Sequence, residues 1–317
     1  MSYNIDSRPG VTYSATFFLL FGLLGAGFLV GGAAAIGVWS AMTGKAVLSM
    51  EKDMADPANV QAVRMVQLVS TFFIFFLPAY FTALIANRKP LKLLGFNNHF
   101  DMRTVGLVIL IMLVSLPLVG ALTELNSLIK LPAAYEKIFK DLEEAYEKQV
   151  TIMSRMTGFG DYLVALVVMA LGPAIFEETF FRGGMQNILQ KWTGRTWTAI
   201  IITSLVFSAI HFSWYGFLAR FALGMVLGLL YHYSGSLWMS IAGHFLNNGL
   251  VVTIMYYMSR KGVPMDDIMH DTDPIWIGAI ALVAMYCLFL YYRKFSEQAR
   301  LKKMPPEERA LAEQWLA

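Results

Sequence analysis

Long apolar segments recur along the whole chain, separated by shorter stretches that carry most of the charge. A helix needs about 20 predominantly apolar residues to cross the hydrocarbon layer of a bilayer. Eight segments meet or approach that length, at residues 15–39, 65–86, 104–125, 162–182, 197–213, 217–233, 237–258 and 275–292. The chain is 57% hydrophobic and only 15% charged, whereas soluble domains carry about 25% charged residues. The sequence therefore predicts an all-α polytopic membrane protein with about eight transmembrane helices.

The first segment begins near the N-terminus, as a signal peptide does. Its apolar run is longer than that of a signal peptide, and few basic residues precede it, so we interpret it as a permanent span. Gly27 and Gly31 lie about one helical turn apart within it, a pattern typical of helices that pack closely in membranes.

The loop charges favour one orientation. Lys and Arg outnumber Asp and Glu in 87–103 and directly after the fourth and eighth segments, whereas acidic residues outnumber basic ones in 126–161 and 259–274. An excess of Lys and Arg marks cytoplasmic loops, so we expect both termini in the cytoplasm. A bacterial inner membrane fits this pattern. The net charge of +3 is too small to indicate a nucleic-acid partner.

The connection 126–161 has an amphipathic pattern. Apolar residues recur at helical spacing from Tyr135 to Met153. The opposite face is charged and consists of Glu136, Lys137, Lys140, Glu143, Glu144 and Glu147. This pattern predicts a helix that lies along the outer membrane surface or caps the bundle, and we interpret it as a cover without chemistry.

Six polar side chains stand inside apolar segments of the C-terminal half: Glu177, Glu178, Arg182, His211, His244 and Asn248. Ionisable residues in a bilayer are costly and normally face a bundle interior or a wet cavity. Helical spacing places Glu178 and Arg182 on one face, where they can pair, and leaves Glu177 about 100° round the helix. Because buried polar groups need partners, we expect the six to share one cavity. The remaining histidines are interpreted as solvated or interfacial: His99, His232 and His270.

These residue types suit the hydrolysis of a peptide bond. A carboxylate beside a neutral imidazole can hold and deprotonate a water. An imidazole and an amide one helical turn apart, as at His244 and Asn248, can donate hydrogen bonds to a developing oxyanion. Such a site needs no Ser or Cys nucleophile.

Zinc is the alternative to a metal-free site. A catalytic zinc takes three protein ligands and an open fourth position, and Glu177, His211 and His244 could supply the ligands. Against zinc, the chain has no HExxH motif, and Asn248 is a poor zinc ligand. We therefore expect no cofactor.

Three motifs resemble those of a known family. They are Glu177-Glu178-Thr-Phe-Phe-Arg182, Phe207-Ser-Ala-Ile-His211 and His244-Phe-Leu-Asn-Asn248. Their order and spacing resemble the EExxxR, FxxxH and HxxxN of the CAAX protease and bacteriocin-processing family of intramembrane proteases, which includes the Rce1 prenyl-protein endopeptidases. The resemblance covers about 162 to 258 and implies an eight-helix α fold with glutamate-dependent endopeptidase activity.

The resemblance also implies roles for the six residues. Glu177 would be the general base, and His211 its partner in activating water. His244 and Asn248 would form the oxyanion hole. The remaining pair, Glu178 and Arg182, would support these groups.

We therefore predict three parts: N-terminal spans and the connecting helix in 1–160, a protease core in 161–258, and a last span with a cytoplasmic tail in 259–317. The core would be an intramembrane endopeptidase with a water-filled cavity among the fourth, fifth and seventh segments. Its partners would be membrane lipid and a peptide or protein substrate entering from the membrane or the cytoplasm. The alternative is a non-catalytic scaffold or immunity factor that keeps the polar cluster for folding or partner binding. A transporter is less favoured, because no inverted repeat is visible.

The depth of the site is the least determined feature. Glu177 and His211 are equally far in sequence from a turn near Gly194, which predicts that both lie about 25 Å from its tip. His244 is closer to the next turn on that side, near Gly235, and is predicted to lie only about 13 Å from it. A tilt, a break at the proline of the fourth segment or a projecting tip must supply the difference.

Overall fold

The computed structural model describes residues 11–269 and 272–303, and these form helices and connecting turns without a β-strand. The main helices are α1 (Tyr13–Thr43), α2 (Pro57–Ala86), α3 (Met102–Ser127), α4 (Ala133–Met153), α5 (Phe159–Thr193), α6 (Thr196–Ala209), α7 (Phe217–Ser234), α8 (Leu237–Arg260) and α9 (Ile275–Lys303). Short helices at Met50–Asp53, Pro90–Leu93 and Met265–Met269 lie in the connections. The predictions for His270, the two termini and the tail beyond residue 303 fall outside the described residues.

Seven helices of the described chain are long and apolar enough to cross a membrane: α1, α2, α3, α5, α7, α8 and α9. α6 is also apolar, but its 14 residues rise only about 21 Å, less than the hydrocarbon thickness of about 30 Å. The predicted all-α membrane fold with about eight helices is confirmed. The fifth predicted segment is wrong at its C-terminal end, because the helix ends at Ala209 and residues 210–216 form a turn.

α1 packs on α2 through the two glycines that the sequence singled out. A Cβ at Gly27 would lie 2.5 Å from the backbone oxygen of Phe73, and one at Gly31 would lie 3.2 Å from the Phe73 Cβ. Only glycine allows this approach at Gly27. The predicted small-residue contact is therefore confirmed.

α5 changes its winding on both sides of the paired glutamates. Two π-helical segments, Leu166–Leu171 and Thr179–Gln186, flank the α-helical Gly172–Glu178. Pro173 lacks an N–H and cannot donate to the carbonyl of Met169 four residues earlier, so regular α-helical bonding fails at this point. The π-helical turns of Leu166–Leu171 are wider than α-helical turns, and the helix continues through Pro173 without a break. Such π turns frequently occur at functional sites.

α4 is the predicted amphipathic helix, but one residue of its charged face does not face solvent. Glu143 is buried, because the turn 210–216 lies over it and supplies hydrogen-bond donors. At its C-terminal end, α4 is held by Arg64 of α2, a fully buried guanidinium that donates to the carbonyls of Met153 and Arg155. The assignment of all the acidic residues of α4 to one charged outer face was therefore wrong for Glu143.

Candidate active site

The centre of the polar cluster is the carboxylate of Glu178. Its Oε1 accepts a hydrogen bond from Nη1 of Arg182 at 2.8 Å and another from Nδ1 of His244 at 2.8 Å. All three side chains are buried. Arg182 also donates from Nη2 to the carbonyl of Gly224 at 3.2 Å. The predicted pairing within α5 is present, and α8 brings His244 to the same oxygen.

Glu177 has a different environment from its neighbour. Its side chain is 9% exposed, and no hydrogen bond or ion pair to it is found among the described residues. It is close enough to His244 for a Coulombic interaction. Oε1 of Glu178 thus accepts from two donors and its Oε2 has no partner, whereas no donor to either oxygen of Glu177 is found in the described chain.

His211 lies beyond the end of α6, in the turn 210–216, and not inside a helix as the sequence predicted. Its Nδ1 is 2.7 Å from the carbonyl oxygen of Phe207, so Nδ1 carries the proton and the neutral ring presents a lone pair at Nε2. The Phe207 ring lies 5.1 Å from the ring of His211 and 5.9 Å from that of His244, between centroids. One aromatic ring therefore contacts both histidines, which places them at the same site.

Asn248 contacts the backbone of α5. Its Nδ2 donates to the carbonyl of Met169 at 3.2 Å, and its Oδ1 accepts from Nδ2 of Asn247 at 3.0 Å. The Met169 carbonyl is the one that Pro173 cannot serve, so Asn248 supplies a donor at the irregular part of α5. One of the two N–H groups on Nδ2 remains for another acceptor.

The structure brings the six predicted residues to one region, but only some of them are in direct contact. Glu178, Arg182 and His244 are in direct contact, and Glu177 and His211 lie beside them. Asn248 is linked through the backbone of α5. The sequence predicted His244 at a different depth from the glutamates, but in the structure its Nδ1 is hydrogen-bonded to Glu178 at 2.8 Å.

Zinc was the alternative that the sequence left open, with Glu177, His211 and His244 as its ligands. In the part of the chain that the structure describes, no three His, Cys, Asp or Glu side chains are placed to hold a metal ion. The Nδ1 atoms of His211 and His244 are engaged by Phe207 and Glu178, which leaves Nε2 as the free nitrogen of each ring.

Comparison with known proteins identifies the region that holds these residues. The family model described as "Type II CAAX prenyl endopeptidase Rce1-like" matches residues 159–250. Residues 159–250 are thus similar to this family, and we refer to them below as the Rce1-like domain. The predicted resemblance is confirmed for this tract, and all six candidate residues lie within it. The Rce1-like family is a protease family, and the apolar helices around the domain are those of an integral membrane protein.

One relative and the solved structures add little on function. The uncharacterised protein YpbD of Bacillus subtilis (strain 168) is 32% identical over 85 residues, which are 26% of this chain and 40% of that protein. The chain thus spans less than half the length of this relative. No solved structure matches.

Sequence reasoning missed two further features of the Rce1-like domain. Gly224 and Gly228 of α7 let neighbouring helices approach: a Cβ at Gly224 would lie 2.9 Å from the Ser204 Cβ, and one at Gly228 would lie 2.9 Å from Oε1 of Gln186. Their carbonyls accept from Arg182 and Gln186. The four-residue glycine spacing, already noted in α1, was the available signal.

Arg220 is the second missed feature. It lies near the start of the apolar α7, and its Nη2 donates to the carbonyl of Ser213 at 2.8 Å. An arginine inside an apolar segment indicates a buried polar partner. The same rule that selected Arg182 could have found it.

Proposed function

We propose that this protein is an intramembrane endopeptidase in which Glu177 activates the attacking water. The observation that carries the proposal is the contrast between adjacent glutamates. Arg182 and His244 hold Glu178, whereas the Glu177 carboxylate is buried without a hydrogen-bonding partner among the described residues. A buried carboxylate without a partner is costly, and a bound water would satisfy it.

His211 supports this role through its tautomer. Because Nδ1 donates to the Phe207 carbonyl, Nε2 is an acceptor in the neutral ring. A water that donates one proton to Glu177 and the other to Nε2 of His211 is oriented for attack by its oxygen lone pair. This is general base catalysis with an orienting imidazole.

His244 has a separate role set by its bond to Glu178. Since Nδ1 donates to that carboxylate, the ring can also donate from Nε2 only when it is protonated on both nitrogens. We therefore propose that His244, with a proton on both ring nitrogens, donates from Nε2 to the oxyanion.

The proposed reaction has two proton transfers. Glu177 takes a proton from the water as its oxygen attacks the carbonyl carbon of the scissile peptide bond. The negative charge that forms on the carbonyl oxygen meets the Nε2–H of His244 and the free N–H of Asn248. Glu177 then returns the proton to the leaving amine as the C–N bond breaks.

The substrate and the setting are part of the proposal. The name of the matching family concerns prenylated CAAX ends, and for this chain we propose the broader class of a peptide or protein entering from the membrane or the cytoplasm. Membrane lipid would surround the domain, no metal or other cofactor would be required, and no nucleic acid would bind. We place the protein in a bacterial inner membrane with cytoplasmic termini, on the loop charges.

The test compares the wild type with Glu177→Gln, both purified in detergent, on a quenched fluorescent peptide library with and without a strong chelator. Glutamine keeps the shape of the side chain but cannot take up a proton. We expect cleavage that is lost in the variant and unaffected by the chelator. Glu144→Gln on the exposed face of α4 is the matched control and should cleave normally.

The other outcomes distinguish the rival functions. Cleavage that survives Glu177→Gln would refute the mechanism. Cleavage lost on chelation and restored by zinc would assign the chemistry to a metal. Absence of cleavage by every variant would favour a non-catalytic scaffold or immunity factor, since Glu178, Arg182 and His244 already form a buried group of mutual contacts.

A further inference from the structure

The turn 210–216, which carries His211, is held from outside the Rce1-like domain by α4. Oε1 of Glu143 accepts from the hydroxyl of Ser213 at 2.7 Å, and Oε2 accepts from the backbone N–H of Tyr215 at 3.3 Å. Glu143 and Ser213 are both buried, at 8% and 5% exposure. One carboxylate thus fixes a side chain and a backbone amide of the same turn.

Aromatic contacts on the same face of α4 strengthen this attachment. The rings of Phe139 and Trp214 lie 5.3 Å apart between centroids. The guanidinium of Arg220, which donates to the Ser213 carbonyl, lies 5.2 Å from the ring centroid of Tyr146. Positions 139, 143 and 146 are one helical turn apart, so these contacts form a continuous stripe.

α4 is itself anchored to the bundle, so it can act as a fixed support. Arg64 of α2 donates from Nε and Nη2 to the carbonyl of Met153 at 3.0 and 2.8 Å. Further along the helix, Nε2 of Gln149 donates to Oε1 of Gln67 at 2.9 Å. The stripe that touches the turn is therefore tied to the membrane-spanning α2.

The turn needs such support, because its backbone is unusual next to His211. Phe212 has a φ of 51°, the one positive φ at a non-glycine residue in the described chain. Residues with side chains rarely adopt this conformation, and it persists only where the surroundings fix it. Phe212 is also 65% exposed, so its own packing contributes little to holding the turn.

We propose that Glu143 is a positioning residue, which orients His211 by fixing the turn 210–216 through Ser213 and Tyr215. This inference rests on the proposed function, in which Nε2 of His211 orients the attacking water. It extends the site to α4, which lies outside the matched family region.

The chemistry of the contact predicts a conservative rescue. In Glu143→Gln, the amide oxygen can accept from the Tyr215 N–H, and the amide NH₂ can donate to the Ser213 hydroxyl, which is also an acceptor. Both contacts survive without the charge. In Glu143→Ala both are lost.

The test combines two measurements on wild type, Glu143→Ala, Glu143→Gln and the exposed control Glu144→Ala in detergent. Hydrogen–deuterium exchange reports the amides of 211–216, and peptide-cleavage kinetics report kcat and KM. For Glu143→Ala we expect exchange in the turn to be at least about tenfold faster and kcat to fall by a similar factor, with KM and the thermal midpoint close to wild type. Glu143→Gln should restore both, and Glu144→Ala should change neither.

Amide exchange of 211–216 that stays at the wild-type rate in Glu143→Ala would overturn the proposal. A kcat for Glu143→Ala as high as that of the control Glu144→Ala would overturn it too. If Glu143→Ala does not fold, Ser213→Ala removes one of the same hydrogen bonds from the other side and should show the same direction of change. Failure of the proposed function would appear differently, as absence of cleavage by the wild type. In that case faster exchange in Glu143→Ala still supports the hold on the His211 turn, and unchanged exchange still refutes it.

Discussion

The adjacent residues Glu177 and Glu178 allow the same isosteric change to be made in two opposite environments. Glu178→Gln leaves the guanidinium of Arg182 as a buried cation whose carboxylate partner is gone. Breaking a buried ion pair in this way costs about 3–5 kcal/mol. That is roughly a hundred- to several-thousand-fold in the unfolding equilibrium, and a large part of a typical stability of about 5–15 kcal/mol.

Glu177→Gln removes a carboxylate for which no hydrogen bond or ion pair is found in the described chain, so no such contact is lost. A neutral amide costs less to bury than an ionised carboxylate, so the free energy of unfolding should stay the same or rise. The two variants are therefore expected to differ by at least about 3 kcal/mol in stability, although they change neighbouring residues in the same way. We expect Glu177→Gln to fold well and to cleave no peptide, because the proposed general base is gone.

The measurement is SDS-induced unfolding in mixed micelles, followed by far-UV circular dichroism, for wild type and both variants. A third variant, Glu178→Gln with Arg182→Met, removes both charges and should recover much of the loss, since replacing a whole buried pair is often close to neutral. The recovery measures the coupling between the two residues. Equal losses at Glu177 and Glu178, or no loss at Glu178, would refute the assignment of one paired and one free carboxylate.

Three further predictions concern contacts around the site. Gly228→Ala should lose about 1–3 kcal/mol in the same unfolding assay through overpacking, because its Cβ would meet Gln186, whereas Gly32→Ala, with open space around it, should be neutral or stabilising. Arg64→Met should speed amide exchange at the C-terminal end of α4, because the carbonyls of Met153 and Arg155 lose the guanidinium as their donor. Asn248→Ala should lower kcat by about 10²–10³ in the peptide assay; an unchanged kcat would remove it from the oxyanion hole.

The helices and the local pair could be predicted because they depend on sequence periodicity alone. Apolar length determined the membrane-spanning helices, and the spacing of four placed Arg182 beside Glu178. The bond between His244 and Glu178 was not predictable in this way. It depends on how far α8 is displaced along α5, and hydrophobic periodicity carries no information on axial displacement between helices.

Two other features were hidden for different reasons. The sequence stays apolar and aromatic past Ala209, through Phe212 and Trp214, so hydropathy could not show that α6 ends before His211. Glu143 belongs to a run of charges that periodicity assigns to a solvated face. Its burial is caused by a turn 70 residues later in the chain, which only tertiary structure reveals.

The distribution of partners within the cluster argues for catalysis over a purely structural role. A cluster kept for folding should leave no charged member unpaired, since each unpaired charge reduces stability. Glu178 and Arg182 obey this rule as an ion pair, with His244 as a second donor, although Oε2 of Glu178 and Nε of Arg182 have no hydrogen-bond partner in the described chain. Glu177 breaks it at the adjacent position, where glutamine or an apolar residue would serve folding better. Local departures of this kind are expected at functional sites. A free energy of unfolding that stays the same or rises in Glu177→Gln would show that Glu177 is not kept for stability.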